Sequence, residues 1–218
     1  MVTISGVVEN LVEDNPFIQE AMSRGIINYA ALAQDIKSFV EKETRKPVKD
    51  SAIMMALRRL GEKMENKFTK KIKFDENADI FIKSDLFEIT VVKSEKTFNL
   101  IKVIYELIDS NKDFLTITQG LTQVTIISNR RHKDEILEIL KDEHILMKIE
   151  NISSIGTTLP KNCPEEVGYF YTITRAFAWE NIPIIEIVST LIELNLIVKE
   201  VDIPRAFDVL KGIIKKNS

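Results

Sequence analysis

Cysteine and histidine are scarce in this sequence. Its 218 residues include one cysteine, Cys163, and two histidines, His132 and His144. One cysteine excludes an internal disulfide and any zinc site built from several cysteines, and two histidines alone do not supply a metal cluster. We therefore expect no structural metal, and we interpret Cys163 as a capping or packing residue.

Motifs for phosphate binding and catalysis are also missing. The chain has seven glycines, and they form neither the GxGxxG pattern nor a P-loop. No serine, histidine and aspartate, and no cysteine and histidine, stand at a local spacing that indicates a nucleophilic site. We expect no catalytic residue, no cofactor and no enzymatic activity.

Long apolar runs are absent as well. No stretch approaches the roughly 20 apolar residues that cross a bilayer. The first residues, MVTISGVVENLVEDN, lack the basic start and the cleavage site of a signal peptide. A hydrophobic content of 44% with 29% charged residues is ordinary for a globular protein. The sequence therefore predicts a cytoplasmic protein without a membrane partner.

Positive charge is concentrated near the N-terminus. Residues 1–74 hold 13 lysines and arginines against 10 acidic residues, whereas the rest of the chain holds 17 against 23. Such a local excess attracts polyanions, although a solvated basic face is the commoner explanation. The candidate residues for contacting nucleic-acid phosphates are Arg58, Arg59, Lys63, Lys70, Lys71 and Lys73.

Helix signals dominate the first 65 residues. Asn15 and Pro16 begin one helix, and Asn28 caps a second. A third helix starts at Asp50 or Ser51, and the segments FTKKIKF and DIFIK that follow it alternate in a way that predicts a β-hairpin. Three helices followed by a basic hairpin is the order of elements in a winged-helix domain. We predict a helical, winged-helix-like domain over residues 1–82.

The rest of the chain passes twice through one order of elements. The first pass, residues 83–150, reads strand LFEITVV, helix TFNLIKVIYELID, strands FLTITQG and TQVTIIS, helix HKDEILEILKDE and strand HILMKIE. The second, residues 151–218, repeats the order with ISSIGTTL, PEEVGYFYTITRAFAWENI, PIIEIVS, LIELNLIVK and IPRAFDVLKGIIKK, but has no closing strand. The fold class is therefore α+β, with two ferredoxin-like βαββαβ modules. A swapped strand or a neighbouring chain would complete the second.

The first helix of each module has one expected apolar face. These faces consist of Phe98, Ile101, Tyr105 and Ile108 in the first module, and of Val167, Phe170, Ile173 and Phe177 in the second. Glu165 and Glu166 are expected in the first turn of the second-module helix, where their charge would satisfy the helix dipole and repel an anionic ligand.

The second module resembles the ACT domains at the regulatory end of aspartate kinases. The resemblance rests on SSIGTTLPKNCPEEVGYFYTITRAFAWENIPIIEIVSTLIELNLIVKEVDIPRAFDVLKGI. In the first module, ITQG before TQVTIIS resembles the strand pair that faces the effector in that family. Together the two passes cover about Leu86 to Lys216, and the roughly 80 residues before them are too few for a kinase domain. The resemblance implies a homodimer formed through ACT-like modules and allosteric sensing of a small amino acid.

The resemblance also implies where such an effector would bind. In that family the ligand is held partly by backbone amides at the turn from the first strand into the first helix, which corresponds to residues 159–168, and to residues 94–97 in the first module. The candidate ligand-binding residues are Asn162, Gly168, Tyr169, Gln119, Asn181, Ser189 and Thr190.

Three functions follow from these observations. The favoured one is a non-catalytic regulatory protein that senses a small metabolite, most simply an amino acid, at its paired modules. A DNA-binding transcriptional regulator that uses the basic N-terminal domain is one alternative, and a protein-interaction regulatory subunit of an enzyme is the other.

Overall fold

The computed structural model describes residues 2–64, 72–75, 78–109 and 112–217. The chain divides into two compact units, Met1–Lys71 and Ile72–Ser218. This division falls before the predicted domain end at residue 82, because residues 80–82 lie in a strand of the second unit.

Four helices form the described part of the first unit. They are α1 (Ile4–Glu13), α2 (Pro16–Ser23), α3 (Tyr29–Thr44) and α4 (Asp50–Met64). Local signals begin them: Pro16 lies in the first turn of α2, and the Asn28 side chain accepts hydrogen bonds at 3.1 and 3.2 Å from two backbone N–H groups in the first turn of α3. Helix α1 is an addition to the three helices that the sequence predicted, and Thr3 caps it.

The core of the first unit lies between these helices. Helix α4 contributes Ile53, Leu57 and Met64, all buried, and it packs against α1 and α3. The opposite side of α4 carries Arg58 and Arg59, which are exposed. The helix is therefore amphipathic, with an apolar face toward the core and a basic face toward solvent.

The predicted hairpin and winged-helix domain are not confirmed. Residues 65–71 and 76–77 lie outside the described residues, and with them most of the first predicted strand. The described residue Phe74 is buried in the core of the second unit, and its N–H donates to the Asn217 carbonyl at 2.8 Å. The second predicted strand, DIFIK, instead begins the first strand of the second unit, because Ile80–Lys83 pair with that unit's sheet.

The second unit contains one antiparallel sheet with four helices packed on it. Its elements in chain order are β1 (Ile80–Val92), α5 (Thr97–Leu107), β2 (Leu115–Gln119), β3 (Gln123–Asn129), α6 (Lys133–Ile139), β4 (Ile145–Thr158), α7 (Tyr169–Trp179), β5 (Glu186–Ser189), β6 (Glu193–Lys199) and α8 (Ile203–Lys216). The strand order is β2-β3-β1-β4-β6-β5. The predicted mixture of helices with an antiparallel sheet is confirmed.

The order of strands is symmetric about the β1–β4 pair, which joins two like halves. Each half reads βαββα: β1 to α6, then β4 to α8. The first four residues of β1 pair with Ser154–Thr157 of β4. They therefore supply the closing strand that the second module lacks in its own sequence. The predicted module boundaries after residues 82 and 150 lie inside β1 and β4, so the two halves share long strands and form one continuous sheet.

Both long strands bend near their middle. Asp85 in β1 and Asn151 in β4 have positive φ values of 57° and 56°, and the β1–β4 register shifts on either side of Leu86. Such irregularities bend a strand and increase its twist. Arg130 links the two bends, since its guanidinium donates to the Asn151 side chain at 3.3 Å and lies 3.8 Å from the Asp85 carboxylate.

The bends bring the two halves of the sheet together on the face away from the helices. Leu86, Ile127, Ile152 and Ile197 form a buried cluster on that face with Phe114. Phe114, which precedes β2, lines the same cavity as Asn195 of β6. In a flat sheet these strands would lie about 19 Å apart at about 4.8 Å per strand. The sheet therefore curves toward this face, which is its inner face.

The helices cover the other face, but not through all of the predicted residues. Helix α5 buries Thr97 and Ile104, whereas Phe98 and Tyr105 are 61% and 58% exposed. Helix α7 begins at Tyr169, because Gly168 at its N-cap has a φ of 107° that ends any preceding helical turn. Its buried face is Tyr169, Ile173 and Phe177, and the prediction was wrong in adding Val167 and Phe170, which are exposed.

Candidate functional site

Three of the predicted ligand-binding residues lie before or at the start of α7. Asn162 is exposed and precedes a 3-10 turn at Cys163–Glu165, and Gly168 adopts the left-handed conformation. Tyr169 is buried, and its hydroxyl donates to the Lys73 carbonyl at 2.7 Å. Burial raises the pKa of Tyr169. Tyr169 therefore holds a neighbouring chain segment.

The predicted repulsion by Glu165 and Glu166 changes with the start of this helix. The structure places both glutamates before the N-cap of α7, in the 3-10 turn and directly after it. They do not occupy the first helical turn, because Gly168 separates them from it. Their carboxylates therefore do not lie in the first turn of α7, where the prediction placed them.

Ser189 and Thr190 lie at the same end of the sheet as the turn after β4. The Thr190 N–H donates to the Glu193 carbonyl at 2.9 Å and closes the β5–β6 turn. The Leu159 N–H donates to the Ile192 carbonyl at 2.7 Å. The structure thus brings the turn that follows β4 next to the turn that contains Thr190.

Asn181 and Gln119 lie elsewhere. Asn181 follows the C-terminus of α7, and the 11 residues of that helix span about 16 Å. Gln119 ends β2, which is the outer strand on the other side of the sheet from β5. Because β1 and β4 are antiparallel, the strand-to-helix turns of the two halves point to opposite ends of the sheet. Within one chain the seven predicted residues therefore lie at more than one place.

A cavity that the sequence analysis did not predict lies on the inner face of the folded sheet. It has a volume of about 350 Å³, and its lining consists of Phe81, Ile82, Lys83, Phe114, Ser154, Glu193 and Asn195. The Ser154 hydroxyl donates to Asn195 Oδ1 at 3.1 Å, and Lys83 Nζ donates to the Lys112 carbonyl at 2.9 Å. One signal in the sequence was Gly156, because a glycine inside a strand often marks a place where a ligand or another chain segment comes close to the backbone.

A larger cavity of about 570 Å³ lies between α7 and α8. Trp179, which is 71% exposed, lines it, together with Arg175, Arg205 and Asp208. Arg205 donates to the Glu180 carbonyl and so joins the two helices. None of the seven predicted ligand-binding residues lines this groove.

A buried carboxylate lies on the inner face of the sheet. Glu88 in β1 is 4% exposed, and its Oε2 has no hydrogen-bond partner among the described residues. Burial, together with the nearby charge of Glu186, raises the pKa of Glu88 to about 7. Burial also raises the pKa of Glu186 in β5. Glu88 and Glu186 belong to different halves of the sheet, and the charge of Glu186 acts on the buried carboxyl group of Glu88.

The predicted nucleic-acid-binding residues fall into separate places. Arg58, Arg59 and Lys63 are exposed on α4 in the first unit. Lys70 and Lys71 lie outside the described residues. Lys73 belongs to the second unit, where its carbonyl accepts the Tyr169 hydroxyl. The structure describes three of the six as one basic surface.

Three further observations concern the described residues alone. Cys163 is buried, which raises the pKa of its thiol, and no group of three or more acidic, histidine or cysteine side chains there is arranged to hold a metal ion. None of the described helices has the length and apolar character needed to cross a membrane.

Comparison with solved structures shows which fold this is. Over 62% of its length the chain matches a structure of the aspartokinase alpha and beta subunits, with 19% identity, a TM-score of 0.52 and 97% of that chain covered. The fold is that of the aspartate kinase regulatory region. The regulatory subunit of aspartate kinase from Thermus thermophilus matches over 62% of this chain and 95% of its own, with 13% identity and a TM-score of 0.50.

A complete aspartate kinase shows how much of such an enzyme the likeness covers. The match to the Clostridium acetobutylicum enzyme has 19% identity and a TM-score of 0.53, and it covers 62% of this chain but 34% of that one. No protein-family model and no curated protein matches the sequence. At these identities the likeness concerns the fold, and it confirms the predicted resemblance at that level.

Proposed function

We propose that this chain is a non-catalytic regulatory protein that senses a small metabolite, most simply an amino acid, in its second unit. The observation that carries the proposal is a cavity on the sheet that is lined by residues of two like halves of the aspartate kinase regulatory fold. A ligand that contacts both halves favours one arrangement of them over others, and this linkage is the basis of a regulatory response.

The fold neighbours support the proposal. One of them is described as a regulatory subunit and another as an allosteric enzyme. Ligand-induced stabilisation of the full chain, measured by thermal unfolding with each common amino acid and nucleobase, is the test. At a ligand concentration of 100 times Kd, binding to the folded state alone adds about 2.7 kcal/mol, which raises the melting temperature of a chain of this size by roughly 5 to 11 °C. If no compound shifts the melting temperature, the proposal is wrong.

A second candidate function, DNA binding, is favoured by the basic side of α4. Arg58, Arg59 and Lys63 are exposed, and none of them forms an ion pair with another described residue. Phosphate contacts make affinity fall steeply with salt. Fluorescence anisotropy with a labelled duplex at several salt concentrations tests this function. Replacing Arg58 and Arg59 by alanine should reduce the salt slope by about two contacts, whereas no binding at low salt would exclude the function.

The proposal of a metabolite-sensing regulatory protein also includes a homodimer formed through the second unit. Strands β2 and β5 are the outer strands of the sheet, and each pairs with one neighbour among the described residues. Open edges of this kind accept a strand from another chain. Light scattering after size exclusion should give twice the mass of the 218-residue chain; a monomer at all concentrations would contradict the dimer.

A further inference from the structure

The two halves of the sheet differ at one pair of equivalent positions. Thr90 and Thr125 are opposite each other in the first half, and Gly156 and Asn195 hold the same places in the second. The two threonine hydroxyls are buried and share a hydrogen bond of 3.0 Å. The two threonine side chains fill the space between their strands on this face of the sheet. In the second half the glycine leaves that space to the ring of Phe81.

Glycine is required at this place. A Cβ on residue 156 would overlap the ring of Phe81 and would lie 2.8 Å from Asn195 Oδ1. Without it, the Phe81 ring lies over the strand, and Asn195 turns toward Ser154. The cavity is therefore a specific feature of the second half of the sheet.

A cation, an anion and two uncharged polar side chains line the cavity. Lys83 is directly across from Ser154 in the sheet, and its ammonium group uses one of three hydrogens on the Lys112 carbonyl. Asn195 is buried, and its amide nitrogen donates to no other described residue. Glu193 supplies a carboxylate at the start of β6 that forms no ion pair with a described residue. An anionic group and an ammonium group on one ligand would each find a partner.

The remaining lining is apolar and comes from both halves. Phe81 and Ile82 belong to β1, and Phe114 precedes β2. A volume of about 350 Å³ is at the small end of the range for ligand pockets, roughly 300 to 1,000 Å³. The occupant is therefore a small molecule, with its apolar part against the phenylalanine rings.

We infer that this cavity binds a small zwitterion, an amino acid with a compact aliphatic or aromatic side chain. Its carboxylate is held by Lys83 and the Asn195 amide, and its ammonium group by Glu193. This assignment rests on the proposed function and gives that function a site inside one chain, away from the turns that the sequence predicted.

Isothermal titration of the full chain with each common amino acid tests the assignment. Lys83→Met removes the ammonium group and keeps an unbranched side chain that is one atom shorter, and Lys93→Met, at an exposed lysine just after β1, is the matched control. Loss of a hydrogen bond to a charged group weakens binding by about 10- to 100-fold. We expect that loss for Lys83→Met and an unchanged Kd for Lys93→Met. The melting temperatures of both ligand-free variants report that they fold.

The outcomes separate this assignment from the proposed function. If an amino acid binds with the same Kd to wild type and to Lys83→Met, but Ser189→Ala abolishes binding, the cavity assignment is wrong and ligand sensing stands. If no amino acid binds to the wild-type chain, both are wrong. Protection of the Ser154 and Gly156 backbone amides from hydrogen exchange on ligand addition would support the cavity, and protection confined to residues 159–168 would contradict it.

Discussion

Replacing Glu88 by glutamine should make the chain more stable at neutral and alkaline pH. The wild-type carboxyl group is 4% exposed on the inner face of the sheet and has an oxygen without a hydrogen-bond partner among the described residues. When it is ionised, its charge is buried and no described cation lowers its pKa, and the nearby Glu186 adds repulsion. Glutamine keeps the shape of the side chain and cannot ionise.

The size of the effect follows from the pKa of Glu88. The pKa rises from 4.5 to about 7 on folding, so the folded chain keeps its proton over a range in which the unfolded chain releases it. The free energy of unfolding therefore falls as the pH rises from about 4.5 to about 7, by about 3 kcal/mol in total. About 2.5 kcal/mol of this lies between pH 5 and pH 8.

The assay is urea unfolding at pH 5 and pH 8, followed by circular dichroism and by the fluorescence of Trp179, which lies in the second unit. Other groups titrate in the same range, so the informative quantity is the stability difference between Glu88→Gln and wild type. This difference should increase by about 2.5 kcal/mol from pH 5 to pH 8, which corresponds to roughly 5 to 10 °C in melting temperature.

Two further variants locate the effect. Glu95→Gln, at an exposed position before α5, removes the same charge without burial and should leave the pH dependence unchanged. Glu186→Gln removes the neighbouring carboxylate, so the pKa of Glu88 should move down and the pH dependence should weaken. A Glu88→Gln difference that is equal at pH 5 and pH 8 would refute the reasoning.

Three other substitutions test packing and capping in the two units. Gly156→Ala should destabilise the second unit by about 1 to 3 kcal/mol, because its Cβ overlaps the Phe81 ring; urea unfolding measures this, and wild-type stability would contradict the close approach. Asn28→Ala removes the side-chain acceptor at the start of α3 and should lower helix stability by about 1 kcal/mol in thermal unfolding. Asp113→Asn removes the charge of a carboxylate that is 2% exposed and paired with His132 at 3.0 Å. We expect the free energy of unfolding at pH 6 to fall by about 1 to 3 kcal/mol. An unchanged unfolding midpoint would show that the pairing contributes nothing.

Local sequence signals were sufficient for most of the elements. Asn28 begins α3 as its side-chain chemistry dictates, and the repeated order of strands and helices appears in both halves of the second unit. The limits of α7 were harder. Its apolar pattern continues upstream through Val167, and only the left-handed backbone of Gly168 shows that the helix begins at Tyr169.

The positions of the predicted ligand-binding residues show why sequence alone could not place them relative to one another. Gln119 and Ser189, which the family resemblance named as ligand-binding residues, hold equivalent places in the two halves. The symmetric strand order puts them on opposite outer strands. The cavity residues Lys83, Phe114 and Asn195 come from three distant stretches of the chain, and no spacing rule connects them.

The sequence by itself determined three of the four described helices of the first unit, the antiparallel strands and the internal repeat, because these depend on periodicity, caps and turns within a few residues. Only the tertiary structure decided that Ile80–Lys83 complete the second half of the sheet, that the strands bend at Asp85 and Asn151, and that Glu88 is buried. These features depend on the register between strands about 70 residues apart. Such contacts leave no periodic pattern in the chain.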